Sequence, residues 1–169
     1  SGKTYTLDGE LIVKAGATLN IEEGVTVVSL YDDKVDYILV EQGAKINAVG
    51  TASSPIVMTS QKEEPGAWGG IHICGFARTN AEGGKGSSEI GRATYGGDKD
   101  DDNSGVLKFV RVEYTGYAFD EEHEANGITF YGVGSGTTVE NCEAYHGSDD
   151  GFEFFGGCVN VKNMVAVNC

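Results

Sequence analysis

Apolar residues recur at alternate positions in runs of four to six, and each run is cut off by Gly, Asn or Asp. Such alternation marks strands with one buried face, and the 3.6-residue periodicity of a helix is almost absent. Glu10–Val13, Ala17–Ile21, Val25–Leu30, Tyr37–Val40, Ile56–Thr59 and Leu107–Val112 each have the length of one strand. The chain is expected to be all-β.

The strands also repeat. Residues 11–21, LIVKAGATLNI, match residues 38–48, ILVEQGAKINA, with Val13/Val40, Gly16/Gly43, Ala17/Ala44 and Asn20/Asn47 identical. A second pattern, G-[IF]-x-[IF]-x-G, occurs at 70–75, 127–132 and 151–156. In a third set, Leu107, Val110 and Val112 are answered by Val139, Cys142 and Ala144, then by Val161, Met164 and Ala166. Unequal spacing with a preserved strand pattern suits a solenoid, because insertions go into corners while strands stack about 4.8 Å apart. The expectation is one domain, residues 1–169, folded as a right-handed parallel β-helix with coils of about 20–30 residues. Residues 76–105 form a long inserted loop, a length that is either functional or mobile.

A family resemblance rests on particular strings. Tyr5–Gly9 (YTLDG) and Ala15–Val25 (AGATLNIEEGV) resemble the opening coils of secreted or lipoprotein-type β-helix proteins of Gram-negative bacteria. Ala67–Gly70, Asp102–Gly105, Gly132–Thr138 and Gly147–Gly157 follow in that family's order, and the last is its most specific part. The resemblance implies the β-helix fold and an extracellular or cell-surface location. It implies no defined activity.

Composition narrows the partners. The 169 residues carry a net charge of −14, which opposes binding to nucleic acid or an anionic membrane. No apolar run approaches the roughly 20 residues of a membrane span. Gly is abundant, at 26 residues, and the repeats place Gly70, Gly75, Gly127, Gly132, Gly151 and Gly156 at strand boundaries. The acidic excess concentrates at residues 98–102, 120–124 and 149–153.

Stacking the G-[IF]-x-[IF]-x-G strands puts Ile71, Ile128 and Phe152 in one inward column and Ile73, Phe130 and Phe154 in another. His72, Thr129 and Glu153 then form an outward column beside Cys74, Tyr131 and Phe155. A polar column next to aromatic rings suits a glycan, so His72, Thr129, Tyr131, Glu153 and Phe155 are candidate ligand-binding residues; ordinary solvent-facing positions are the alternative. The corner at Asp149 and Asp150, with Glu153 beyond it, fits three roles. It is a turn closed by Asx bonds, a Ca²⁺ site, or a pair of catalytic carboxylates about 5–9.5 Å apart. Asp98, Asp100 and Asp102 resemble a D-x-D-x-D calcium loop but lack its twelfth-position Glu, since residue 109 is Phe. No Ser-His-Asp triad is supported by the spacing of His72, His123 and His146. Cys142 is expected to point inward as an inert thiol, and a Cys158–Cys169 disulfide is left open.

Val161–Cys169 begins another coil, which suggests an N-terminal portion of a longer solenoid or end-to-end self-association. The reading favoured from sequence is a non-catalytic secreted or cell-surface binding or scaffold protein that contacts glycans or a partner protein along an exposed sheet. The alternative is a polysaccharide lyase or glycoside hydrolase using Asp149, Asp150 and Glu153, with or without Ca²⁺. The scarcity of Lys and Arg near that corner disfavours a lyase.

Overall fold

The computed structural model describes residues 1–120 and 123–169. After β1 (Thr4–Leu7), the chain winds through five coils of three short strands. The first two are β2 (Glu10–Val13), β3 (Thr18–Ile21), β4 (Thr26–Ser29), and β5 (Tyr37–Val40), β6 (Lys45–Val49), β7 (Ile56–Ser60). In the third coil, β8 (Ile71–Cys74) is separated from β11 (Gly105–Lys108) and β12 (Val110–Glu113) by an insertion. That insertion holds a short antiparallel hairpin, β9 (Gly86–Ser87) with β10 (Thr94–Tyr95). The last two coils are β13 (Ile128–Tyr131), β14 (Thr138–Glu140), β15 (Glu143–Tyr145), and β16 (Phe152–Phe155), β17 (Asn160–Lys162), β18 (Val165–Val167).

Strands in equivalent positions pair in parallel and build three sheets. Sheet I is β1-β4-β7-β12-β15-β18, sheet II is β2-β5-β8-β13-β16 and sheet III is β3-β6-β11-β14-β17. The architecture is a right-handed parallel β-helix, the hand that parallel crossovers take almost without exception. No helix among the described residues is long and apolar enough to cross a membrane.

Register follows the repeats. Val13 pairs with Val40, Leu19 with Ile46 and Asn20 with Asn47. Ile71, Ile128 and Phe152 align across sheet II, as do Leu107, Val139 and Val161 across sheet III. These columns fill the lumen in one continuous apolar cluster that includes Ile46, Met58, Ile73, Leu107, Val112, Phe130 and Trp68. Phe154, exposed in the last coil, stacks on the buried Phe130 with ring centroids 5.0 Å apart. Trp68 is buried at the edge of this core and donates its indole N–H to the Glu113 carbonyl at 2.7 Å. Cys142 also points into the lumen, where burial pushes its thiol up to about 11. All four cysteines are free.

The expected single strand Leu107–Val112 is two strands. Phe109 takes φ 48° and turns the chain from sheet III into sheet I. The same corner is Asn141 and Asn163 in the next two coils, at φ 56° and 54°. Asn tolerates this left-handed conformation because its short polar side chain bonds locally. Here Asn163 donates to the Asn141 side-chain oxygen at 2.8 Å. Phe gives no such signal, so alternation alone ran the two strands together.

Candidate functional site

Alternation along sheet II directs Ile71 and Ile73 inward and His72 and Cys74 outward. Pairing then carries these sides through the stack, aligning His72 with Thr129 and Glu153, and Cys74 with Tyr131 and Phe155. The columns are those expected, but their exposure is not. His72, Cys74, Thr129 and Tyr131 are buried. A second apolar cluster covers this face, built from Tyr37, Leu39, Cys74, Tyr95 and Tyr131, with Val35, Ile90, Ala93, Phe119 and Phe155 packed on it. The covering residues come from the 76–105 insertion and from the loop after β12.

Thus His72, Thr129 and Tyr131 do not present a glycan platform. Their polar atoms are instead satisfied inside the cover. His72 donates Nε2–H to the Gly69 carbonyl at 2.8 Å, leaving Nδ1 to accept the Tyr131 hydroxyl at 3.4 Å. Burial pushes the imidazole down to about 4, so it is neutral at physiological pH. Asn126 reaches Thr129 at 3.4 Å. Phe155 is half-buried and stacks on Tyr131 with centroids 4.8 Å apart.

Glu153, the remaining member of the predicted set, lies at the rim of the cover and belongs to a shelf of carboxyl groups. Asn126 donates its side-chain N–H to the Glu153 carboxylate. Glu89, on the inserted hairpin, lies within hydrogen-bonding reach of the same carboxyl. Two ionised carboxylates cannot bond each other, so this contact requires a shared proton. Burial, then the Glu153 charge, push Glu89 up to about 7, and Asp149 adds to the shift. Glu153 is raised as well, chiefly by burial and against its bond from Asn126. A second contact joins Glu124 to Asp149 and raises Glu124. Asp150 is exposed beside them. His123 lies close enough to Glu89 to favour its ionisation when protonated, and its ring Nδ1 lies 2.9 Å from Asp120. Glu121 and Glu122, part of the acidic stretch 120–124, lie outside the described residues.

The corner Gly147–Gly151 is held by the coil beneath it. Ser148 bonds Thr115 through its N–H at 3.0 Å and Gly116 through its hydroxyl at 2.7 Å. The Asp150 carbonyl accepts Gly127 N–H at 2.9 Å. Asp149 is therefore set by a rigid backbone next to Glu124 and the Glu89–Glu153 pair.

The D-x-D-x-D reading does not survive folding. Asp100 turns to Arg78, whose Nε lies 2.7 Å from Oδ2, and Asp102 accepts Phe76 N–H at 3.1 Å. Among the described residues, no group of three or more His, Cys, Asp or Glu is arranged to hold a metal ion, at Asp98–Asp102 or at Asp149–Asp150. The carboxylates answer protein donors in the first case and each other in the second.

Sequence reasoning missed Glu89, Glu124 and Asn126. Glu89 lies in the insertion, whose length was the available signal. Asn126 precedes a repeat strand, where it reads only as a turn residue.

The fold and site together define a parallel β-helix of three sheets with an acidic shelf on the outer face of one of them. A family model, the pectate-lyase-like beta helix domain, matches residues 1–169, and the chain belongs to that family. No curated protein and no solved structure matches the chain at significance.

Proposed function

We propose that this chain is a secreted or cell-surface glycan-binding domain without catalytic chemistry of its own, and that it contacts its ligand at the shelf formed by Glu124, Asp149, Asp150 and Glu153. Family membership supports the carbohydrate class. The observation that carries the non-catalytic reading is that two of the three candidate carboxylates face other acids, Glu153 facing Glu89 and Asp149 facing Glu124, which raises Glu89 and Glu124. Glycosidic hydrolysis needs its two carboxyls about 5–9.5 Å apart so that the sugar lies between them. With Glu153 turned to Glu89 and Asp149 to Glu124, each is already matched to another acid rather than set to flank a sugar. Exposed carboxylates are strong acceptors for paired sugar hydroxyls, and such charge-assisted bonds are worth about 1.5–3 kcal/mol each.

The test pairs calorimetric titration against a panel of neutral and acidic oligosaccharides with a reducing-end release assay on the corresponding polymers. Binding weakened roughly tenfold or more by Asp150→Asn or Asp149→Asn, one lost bond at about 1.4 kcal/mol per decade, without product release, supports the reading. Release of reducing ends or unsaturated product by the wild type, abolished by Asp150→Asn, overturns it in favour of the enzyme. Absence of binding across the panel overturns it in favour of a protein-contacting scaffold.

A further inference from the structure

The segment 85–95, which places Glu89 on the shelf, is attached to the body in an unusual way. Among the described residues, its backbone–backbone hydrogen bonds run within the segment: the β9–β10 pair, Ser88 N–H to Ala93 O at 2.8 Å, and Gly91 N–H to Ser88 O at 2.7 Å. Side chains attach it to the solenoid. Ile90, Ala93 and Tyr95 pack on Cys74 and Tyr131. Glu89 N–H donates to the Tyr131 hydroxyl at 3.3 Å, and Arg92 pairs with Glu10 at 2.9 Å. A segment that shares no backbone hydrogen bonds with the body opens as a unit, at a lower free energy than a strand stacked in the solenoid.

One of its ends can move. Gly83 and Gly84 take φ 67° and 72°, and a Cβ added at either would meet nothing within 4 Å. Backbone conformation rather than crowding therefore explains both glycines. Gly96, at φ 92° and buried, fixes the other end to the body, its N–H donating to the Gly75 carbonyl at 2.9 Å and its carbonyl accepting the Gln42 side chain at 3.0 Å, so the segment pivots about this end.

The third element is the latch. Glu89 Oε2 is buried with no hydrogen-bond partner, and the same carboxyl faces Glu153. The geometry points to a pH-gated lid: residues 85–95 close over the Cys74–Tyr131–Phe155 face of sheet II while Glu89 and Glu153 share a proton, and lift when both ionise.

Among the described residues, Asp149 and Asp150 oppose ionisation of the latch and one histidine favours it. Glu153 on β16 and Asp149 on the preceding corner oppose ionisation of Glu89, and Glu124 bears on Asp149. His123, paired with Asp120 on the loop after β12, favours it. On the lid itself Arg92 is engaged with Glu10, and Tyr95, raised by burial, stays neutral in this range. The Glu89 carboxyl titrates near 7 when closed and near the ordinary 4.5 when open. Closure is therefore fully supported below the open-state value and is lost as pH rises towards 7, with a plateau above. His72 titrates in the opposite sense where opening wets it, because its closed value is about 4. A comparison with a variant lacking only the Glu89 proton removes that contribution.

Hydrogen exchange read by mass spectrometry tests the lid on the whole chain without ligand. Peptides covering 85–95 are followed from pH 4.5 to 8 in wild type, Glu89→Gln and Glu153→Gln, with rates corrected for intrinsic exchange. Gln at either position donates to the remaining carboxylate at every pH. The expected result is a lid opening constant that rises, relative to Glu89→Gln, by about ten- to a hundredfold between pH 4.5 and 7 and then levels. Peptides from β13 and β14 stay protected throughout. An unchanged ratio across this range overturns the proposal, as does a rise that persists in both Gln variants. Loss of the rise in either folded variant supports it. Lid movement needs no sugar, so its failure leaves the glycan-binding reading untouched.

Discussion

Replacing Gly127 by Ala should unfold the solenoid well before its neighbours do. A Cβ at Gly127 would lie 2.3 Å from the Gly151 carbonyl oxygen of the next coil, 3.1 Å from the carbon bearing it and 3.2 Å from Ala144 Cβ. The obstructing atoms are mostly backbone, so the coils themselves must part. That parting stretches two bonds across the same step, Gly127 N–H to Asp150 O at 2.9 Å and Ile128 N–H to Gly151 O at 3.1 Å. Each weakened bond is worth about 1 kcal/mol, and overpacking a tight interior adds about 1–3 kcal/mol. The sum is about 3–5 kcal/mol, and at about 2–4 °C per kcal/mol for a chain of this size the midpoint falls by about 6–20 °C. Gly16→Ala is the control: its φ of 82° makes Ala strained, yet nothing lies within 4 Å of the new Cβ. That conformational penalty alone is about 1–2 kcal/mol. Urea unfolding followed by circular dichroism, with the slope m unchanged, reads both. A Gly127→Ala loss no larger than that of Gly16→Ala would refute the claim that close coil stacking, rather than backbone freedom, requires glycine at this step.

Four further outcomes follow from the structure. Asp36→Ala removes the acceptor of Gly9 N–H and of the Ser29 hydroxyl, the latter at 2.7 Å, and should destabilise by about 2–4 kcal/mol in urea titration because both donors are left buried. Burial raises the Asp36 carboxyl, so its titration favours the fold below the ordinary carboxylate range and opposes it as pH rises through the raised value; Asp36→Asn should remove that slope from the pH–stability curve. With Ellman's reagent the native protein should show Cys158 and Cys169 reacting first, Cys74 and Cys142 being buried with thiols pushed up to about 12 and 11, and the denatured, unreduced protein should show all four. Trp68→Phe keeps the ring in the core but leaves the Glu113 carbonyl without its indole donor, for an expected loss of about 1–3 kcal/mol by the same titration.

The repeat carried most of the fold because a solenoid makes pairing partners out of equivalent residues. Once Val13 is matched to Val40 and Ile71 to Ile128 and Phe152, sheet register is already determined, and the structure shows those pairs. The corner at Phe109 was not legible, since a left-handed Phe looks like any apolar residue in an alternating run. The shelf was half legible. Asp149, Asp150 and Glu153 lie within five residues and announce themselves, whereas Glu89 reaches Glu153 across 64 residues of sequence. No spacing rule predicts where an inserted hairpin lands.

The misplaced glycan platform has a specific cause. Alternation states which side of a strand a residue faces, but outward from the lumen is not the same as outward to water. Sheet II carries Tyr37, Leu39, Cys74, Tyr131 and Phe155 on its outer side, too much apolar surface to leave wet, and the 76–105 insertion supplies Ile90, Ala93 and Tyr95 to cover it. Once that cover is in place, His72 and Thr129 become buried polar groups that must find partners, and Gly69, Tyr131 and Asn126 provide them. Asn126 also holds Glu153, so the internal bonds of the covered face extend directly to the shelf at its rim. On the proposed glycan-binding reading, recognition passes from the strands to the loops that close over them, and Asn126→Ala should weaken oligosaccharide binding in calorimetric titration as strongly as Asp149→Asn.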